Sequence, residues 1–130
     1  MNLAVSRWIL WLVYLVAWSA ALLTPFPDVL ADATLPAPTH FRAAKTLHVA
    51  AYALLTVLTG WLRLPAPYRW YMLLLISAHA FGTEFLQQFV PLRGPSLRDV
   101  GLDHLGLLLG VFLSWPWWWS GRSEALADPG

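Results

Sequence analysis

The sequence predicts an all-α fold: a polytopic membrane protein, a four-transmembrane-helix bundle in one domain. Three observations carry that reading. Of 130 residues, 58% are hydrophobic and only 12% are charged. A soluble domain carries roughly 45–50% apolar and about 25% charged residues, so charge here is too sparse to coat a water-facing surface. The apolar residues also gather into four long stretches, 8–23, 47–62, 70–90 and 100–119. Each approaches the roughly 17–25 helical residues that cross a bilayer. The breaks between them are short and polar or proline-rich.

The same arithmetic excludes several classes. Disordered chains are polar, and this one is not. The length allows a single domain, taken as 1–130. Eight Lys and Arg stand against seven Asp and Glu, so no basic excess exists for nucleic acid. Cysteine is absent, which removes disulfides, thiolate metal sites and Cys nucleophiles.

The first helix is expected at about 7–24. It ends at Thr24-Pro25-Phe26-Pro27, because proline lacks an amide and disfavours helix in the residue before it. A cleaved signal peptide is the rival reading, with Ala31-Asp32-Ala33 as a small-residue cleavage site. The run exceeds the usual 7–15 or so apolar residues and carries Trp8, Trp11, Tyr14 and Trp18, which favours a retained span. From Pro25 to about Arg42, four prolines, two aspartates and a histidine read as one longer Pro-rich loop between helices one and two, with His40 exposed on it. Helix two is expected at about 43–63, before the tight connection Leu64-Pro65-Ala66-Pro67. Helix three is expected at about 68–90, and Pro91-Leu92-Arg93-Gly94-Pro95-Ser96 ends it. Helix four is expected at about 99–119, with Ser96 or Asp99 supplying the cap oxygen for its first amides. The tail from Ser120 is polar and read as frayed.

Trp70 with Tyr71, and Trp115, Trp117, Trp118 and Trp119, sit at predicted helix ends. Such rings favour the headgroup layer; a ligand-stacking platform is the alternative. Orientation is a near tie by the cation count. Arg7, Arg63, Arg69 and Arg122 fall on one side, and Arg42, Lys45, Arg93 and Arg98 on the other. The second group sits among polar residues that can take it up in pairing, so the expected topology is N-in and C-in.

Four alternating helices bring the start of helix two, the end of helix three and the start of helix four to one side. The intramembrane polar residues gather there. Lys45, His48 and Tyr52 fall at i, i+3 and i+7, on one helical face. Glu84 is followed by Gln87 and Gln88, and Asp99, Asp103, Gly106 and Gly110 share a face of helix four. Arg93 and Arg98 lie on or beside the connecting loop. Glu84 sits about 10 Å inside the Pro91 end, at about 1.5 Å per residue. A mid-membrane carboxylate costs about 2.5–3.5 kcal/mol or more, so Glu84 is expected to pair with Lys45, His48 or Arg93. Asp103 needs a partner as well. Mutual ion pairs that fix helix register are one reading; a functional pocket is the other, since intramembrane ions more often mark function. Gly106-x-x-x-Gly110 is the small-xxx-small packing pattern. His79 does not share the Glu84 face, and His104 points away from its neighbour Asp103. No His and acid spacing supports a metal site, and no cofactor is expected.

The ordered set Lys45-x-x-His48-x-x-x-Tyr52, Glu84-x-x-Gln87 and Arg93-x-x-Ser96-x-x-Asp99-x-x-x-Asp103-x-x-Gly106-x-x-x-Gly110 resembles the VanZ-like family over about residues 40–112. These are small membrane proteins named for a teicoplanin-resistance protein. Asp103 stands where the family more often has Asn, and Ala44 where many members have Asp. The resemblance implies a bacterial inner-membrane protein of the envelope and, for the founding member, tolerance of glycopeptides with a lipid tail. It does not imply an established mechanism.

Three functions follow as expectations. The first is a non-enzymatic protein that binds an anionic amphipathic or lipid headgroup through Lys45, His48, Tyr52, Glu84, Gln87, Arg93, Ser96, Arg98, Asp99 and Asp103. Arg suits phosphate through its paired donors. The second is a membrane enzyme on a lipid-linked phosphate or sugar, with His48 or Glu84 as general base. The third is a proton or ion carrier. The expected partners are membrane lipids or a lipid-linked ligand, not nucleic acid; a homo-oligomer is left open.

Overall fold

Proline marks where the helices begin. Residues 2–120 are described by a computed structural model, and among them every regular element is helical. The order is α1 (Leu3–Leu22), α2 (Phe26–Thr34), α3 (Ala37–Trp61), α4 (Ala66–Leu86), a 3-10 turn (Gln87–Phe89), α5 (Leu97–Leu113) and α6 (Trp115–Trp119). Three of these helices open on one spacing: Pro25 and Pro27 for α2, Pro36 and Pro38 for α3, Pro65 and Pro67 for α4. In each, the first proline is the N-cap and the second lies in the first turn. Amides there have no intrahelical acceptor, so a missing N–H costs nothing.

This arrangement corrects the expected long loop. The segment 25–42 holds α2 and the first residues of α3, and His40 is helical and half-buried rather than an exposed loop residue. The helix bounds shift with it. The first two expected helices begin earlier, at Leu3 and Ala37. The third ends at Leu86 and continues as the 3-10 turn, and the fourth breaks at Ser114. Pro116 explains that break, since it removes an amide and α6 starts anew around it. Ser96 is the N-cap of α5, its Oγ accepting from the Asp99 amide at 3.3 Å. Most of the expected polar tail, including Arg122, lies outside the described residues.

Two helices, α1 and α3, are long and apolar enough to cross a membrane by length and composition. The central helix is α3, which touches each of the other α-helices. Its inner face packs Tyr52 and Leu55 against Trp11, Trp18 and Leu22 of α1 and Ile76 and Ala80 of α4. Two hydrogen bonds tie α1 to α3: Trp11 Nε1 donates to Thr59 Oγ1 at 2.8 Å, and Tyr14 donates to the Ala51 carbonyl at 2.9 Å. The most intimate contact joins α3 and α5. A Cβ on Gly106 would strike the Val49 carbonyl, and one on Gly110 would strike the Ala53 carbonyl and Thr56. Glycine lets the two backbones close to that distance.

This contact predicts opposite outcomes for two glycines on one helix. Gly106→Ala overfills the α3–α5 seam and should cost about 1–3 kcal/mol. Gly101→Ala meets nothing within 4 Å and should be neutral or stabilising by up to about 1 kcal/mol. Thermal unfolding of both variants in the same detergent checks the contrast. Equal midpoints would contradict the close seam.

Candidate ligand pocket at one end of the bundle

The polar residues of α3, α4 and α5 meet where the α3 start, the α4 end and the α5 start come together. Helical spacing puts Lys45, His48 and Tyr52 on the buried side of α3. On α5, Asp99 and Asp103 lie one turn apart, on the side closed down by Gly106. The two stripes pair in register. Lys45 Nζ forms an ion pair with Asp99. His48 Nδ1 lies 2.7 Å from Asp103 Oδ1. Asp103 is 1% exposed and His48 7%, so the second pair is fully inside. The partner that buried Asp103 needs is thus the His48 ring.

Glu84 does not meet the cations expected of it. Its Oε1 accepts the backbone amide of Ser96. The carboxylate therefore holds the end of the α4–α5 loop against the first turn of α5, where a negative charge is favoured. Gln87 is buried and donates to the Leu22 carbonyl at 3.2 Å, joining the 3-10 turn to the end of α1. Gln88 is exposed. Tyr52 is fully buried. Its hydroxyl lies 3.0 Å from His79 Nδ1 and 3.5 Å from Thr83 Oγ1, and His79 Nε2 lies 2.8 Å from Ser19 Oγ. His104 bonds elsewhere, to Ser77 Oγ at 2.7 Å and to the Val100 carbonyl at 2.8 Å. Arg98 is exposed and lies over the Phe41 ring, away from the pairs.

The short helix α2 brings residues the sequence alone did not single out. Asp28 Oδ2 forms an ion pair with Arg93 Nε at 2.6 Å. His40 lies between two acids of α2, with Nδ1 2.8 Å from Asp32 and Nε2 3.5 Å from Asp28. Reading α2 as a helix would have shown Asp28 and Asp32 at i and i+4, on one face. Arg93 follows Leu92, which sits in the left-handed region at φ 66°. That conformation costs on the order of 1–3 kcal/mol for a non-glycine residue. Leu92 is 74% exposed, so burial does not explain it; the Arg93 amide closes the turn by donating to the Val90 carbonyl at 3.2 Å.

Two adjoining cavities open among these groups, of about 280 and 270 Å³. One is walled chiefly by apolar side chains, Trp18, Leu22, Leu35 and Leu47 among them. The other is walled by Lys45, Gln87 and Asp99 with Phe41 and Leu92. Asp28, His40, Ala44, His48 and Arg93 line both. Of the residues expected at a site, Lys45, His48, Gln87, Arg93 and Asp99 face this space. Glu84, Tyr52, Ser96 and Asp103 stand behind it, and Arg98 lies outside. Among the described residues, no group of three or more His, Asp and Glu could hold a metal ion.

No family model matches the chain, and no curated protein or solved structure matches it either.

The pairing of α3 with α5 generates a coupling. Lys45→Met leaves Asp99 alone and Asp99→Leu leaves Lys45 alone, whereas the double variant removes both charges. The double variant should lose less stability than the two single losses summed, with a coupling of about 0.5–3 kcal/mol. Unfolding of the four proteins of this cycle measures it. Additive losses would mean the pair carries no net interaction.

Proposed function

We propose that the chain is a VanZ-like protein of the bacterial inner membrane that crosses it four times and binds an amphipathic anion in this pocket, near one leaflet. The observation that carries the reading is the joined pair of cavities. An apolar space and a polar space share one wall, and Arg93 stands in that wall. A ligand with an anionic head and a lipid tail matches both halves. The guanidinium meets Asp28 through Nε. Its two terminal nitrogens have no protein hydrogen bond among the described residues. Paired guanidinium donors are what a phosphate or carboxylate head takes up best.

The outer surface supports the four-span setting. Large apolar side chains stand exposed along α1, such as Val13 and Val16, and along α4, such as Leu74, Leu75 and Phe85. On α5, Leu108, Phe112 and Leu113 do the same. Water would not tolerate so broad an apolar surface on a monomer. Helix α4 has 21 residues and reaches about 31 Å at 1.5 Å per residue. Helix α5 is shorter, at 17 residues, and α6 extends that end. On the Lys45 side, Lys45 and Arg93 are neutralised by acids. That leaves Arg7, Arg63 and Arg69 with more weight in the cation count and favours N-in and C-in. A C-terminal reporter should read out in the cytoplasm; an exported reporter would reverse the orientation.

Anionic lipid should co-purify with the full-length protein in preference to phosphatidylcholine. Arg93→Ala should weaken that preference about ten-fold or more, since a hydrogen bond to a charged group contributes about 1.5–3 kcal/mol. Asp28→Asn removes the competing carboxylate and should keep or raise affinity. Lipid quantified by mass spectrometry reads all three proteins. No anionic preference, or one indifferent to Arg93→Ala, would reject the reading. Full competition by tail-free glycerol phosphate would reject the amphiphile in favour of a soluble anion.

A second reading rests on the His48–Asp103 pair. An imidazole oriented by a buried carboxylate and lining a cavity is the arrangement of a general base. A membrane enzyme acting on a lipid-linked phosphate or sugar would use it so. Turnover of such a lipid, lost in His48→Gln, would favour the enzyme over the binding protein.

A further inference from the structure

The orientation of His48 carries information about the ligand beyond its charge. The ring is held on one side only. Nδ1 faces Asp103 Oδ1 at 2.7 Å, and Asp103 is closed off from everything outside the bundle. A carboxylate accepts and does not donate, so the proton between them belongs to Nδ1. In the neutral ring the other nitrogen, Nε2, is then an acceptor. No hydrogen bond within the described chain engages Nε2, and His48 lines both cavities. The Trp18 and His48 rings pack at 81° with their centroids 5.9 Å apart.

The wall shared by the two cavities therefore presents two opposite demands. Arg93 offers donors to an anionic oxygen. His48 offers an acceptor and asks for a donor. A headgroup that carries only anionic and ester oxygens satisfies the first and leaves the second empty. A headgroup that joins an anion to a hydroxyl satisfies both. Building on the amphiphile reading above, we infer that His48, positioned by Asp103, selects a hydroxyl-bearing anionic headgroup, a phosphodiester with an adjacent alcohol being the simplest case.

Glu84 and Lys45 do not alter this logic. Glu84 is engaged by the Ser96 amide and Lys45 by Asp99. His40, the other imidazole on the shared wall, has both nitrogens directed at the acids of α2. His48 is thus the imidazole of the pocket with a nitrogen free for a ligand. Sites built to hydrogen-bond a hydroxyl discriminate against analogues that lack it, because the polar group left behind is desolvated without a partner.

Two lipids isolate the hydroxyl. Phosphatidylglycerol and phosphatidylmethanol with identical tails carry the same single phosphodiester charge, and only the first has hydroxyls. The full-length protein is titrated with each in phosphatidylcholine nanodiscs. The wild type should take up phosphatidylglycerol about ten-fold more tightly. His48→Phe should lose the difference between the two. Equal binding of the two anionic lipids by the wild type overturns the inference and leaves the amphiphile reading standing; this comparison needs no variant to fold. A His48→Phe protein that still prefers phosphatidylglycerol overturns it too. Failure of either anionic lipid to compete with phosphatidylcholine brings down the amphiphile reading and the inference together.

Discussion

An ionisable side chain inside an apolar bundle must be met by another helix, because no water reaches it there. This constraint governs the whole of α3. Its buried side reads Lys45, His48, Tyr52, Thr56 and Thr59, polar along its length. Lys45 and His48 are answered from α5 by Asp99 and Asp103, Tyr52 from α4 by His79, and Thr59 from α1 by Trp11; the Thr56 hydroxyl has no partner among the described residues. The helix is central because its polar stripe needs partners on three sides. Gly106 and Gly110 bring α5 close enough for the first two pairs to form. Loss of that approach would strand two carboxylates at once.

Much of this was legible in residue spacing. The all-helical class follows from apolar stretches too long for strands. The stripes on α3 and α5 follow from i, i+3 and i+4 arithmetic, as does the seam at the two glycines. What spacing could not supply was which partner each acid would choose. Glu84 reads as an ion-pair residue because a mid-membrane carboxylate needs a counter-charge and the helix order brings Lys45, His48 and Arg93 to its side. It instead meets a backbone amide, a group that every residue but proline carries and that no side-chain pattern announces.

Proline accounts for the larger difference between the expected and the observed helices. Four prolines within 25–42 suggested a loop, since proline ends the helix before it. Proline also opens the helix after it, and the Pro-x-Pro spacing recurs at α2, α3 and α4. A pair placed at N-cap and first turn is a start signal. Reading it as such would have recovered α2, and with α2 the acids that face His40 and Arg93.

Helix α2 also explains why a pocket exists here at all. Elsewhere the helices close on one another through Trp, Leu and Gly contacts. At this end α1 stops at Leu22, and α2 caps the gap without burying any residue of its own. Its polar ties are the Asp28–Arg93 ion pair and the contacts of Asp28 and Asp32 with His40. Charge contacts at a partly exposed edge are weak compared with packed apolar surface. The cavity is therefore bounded on one side by the pairwise-matched wall of α3 and α5. On the other side stands a cover whose Asp28 competes for the same guanidinium that an anionic ligand would engage.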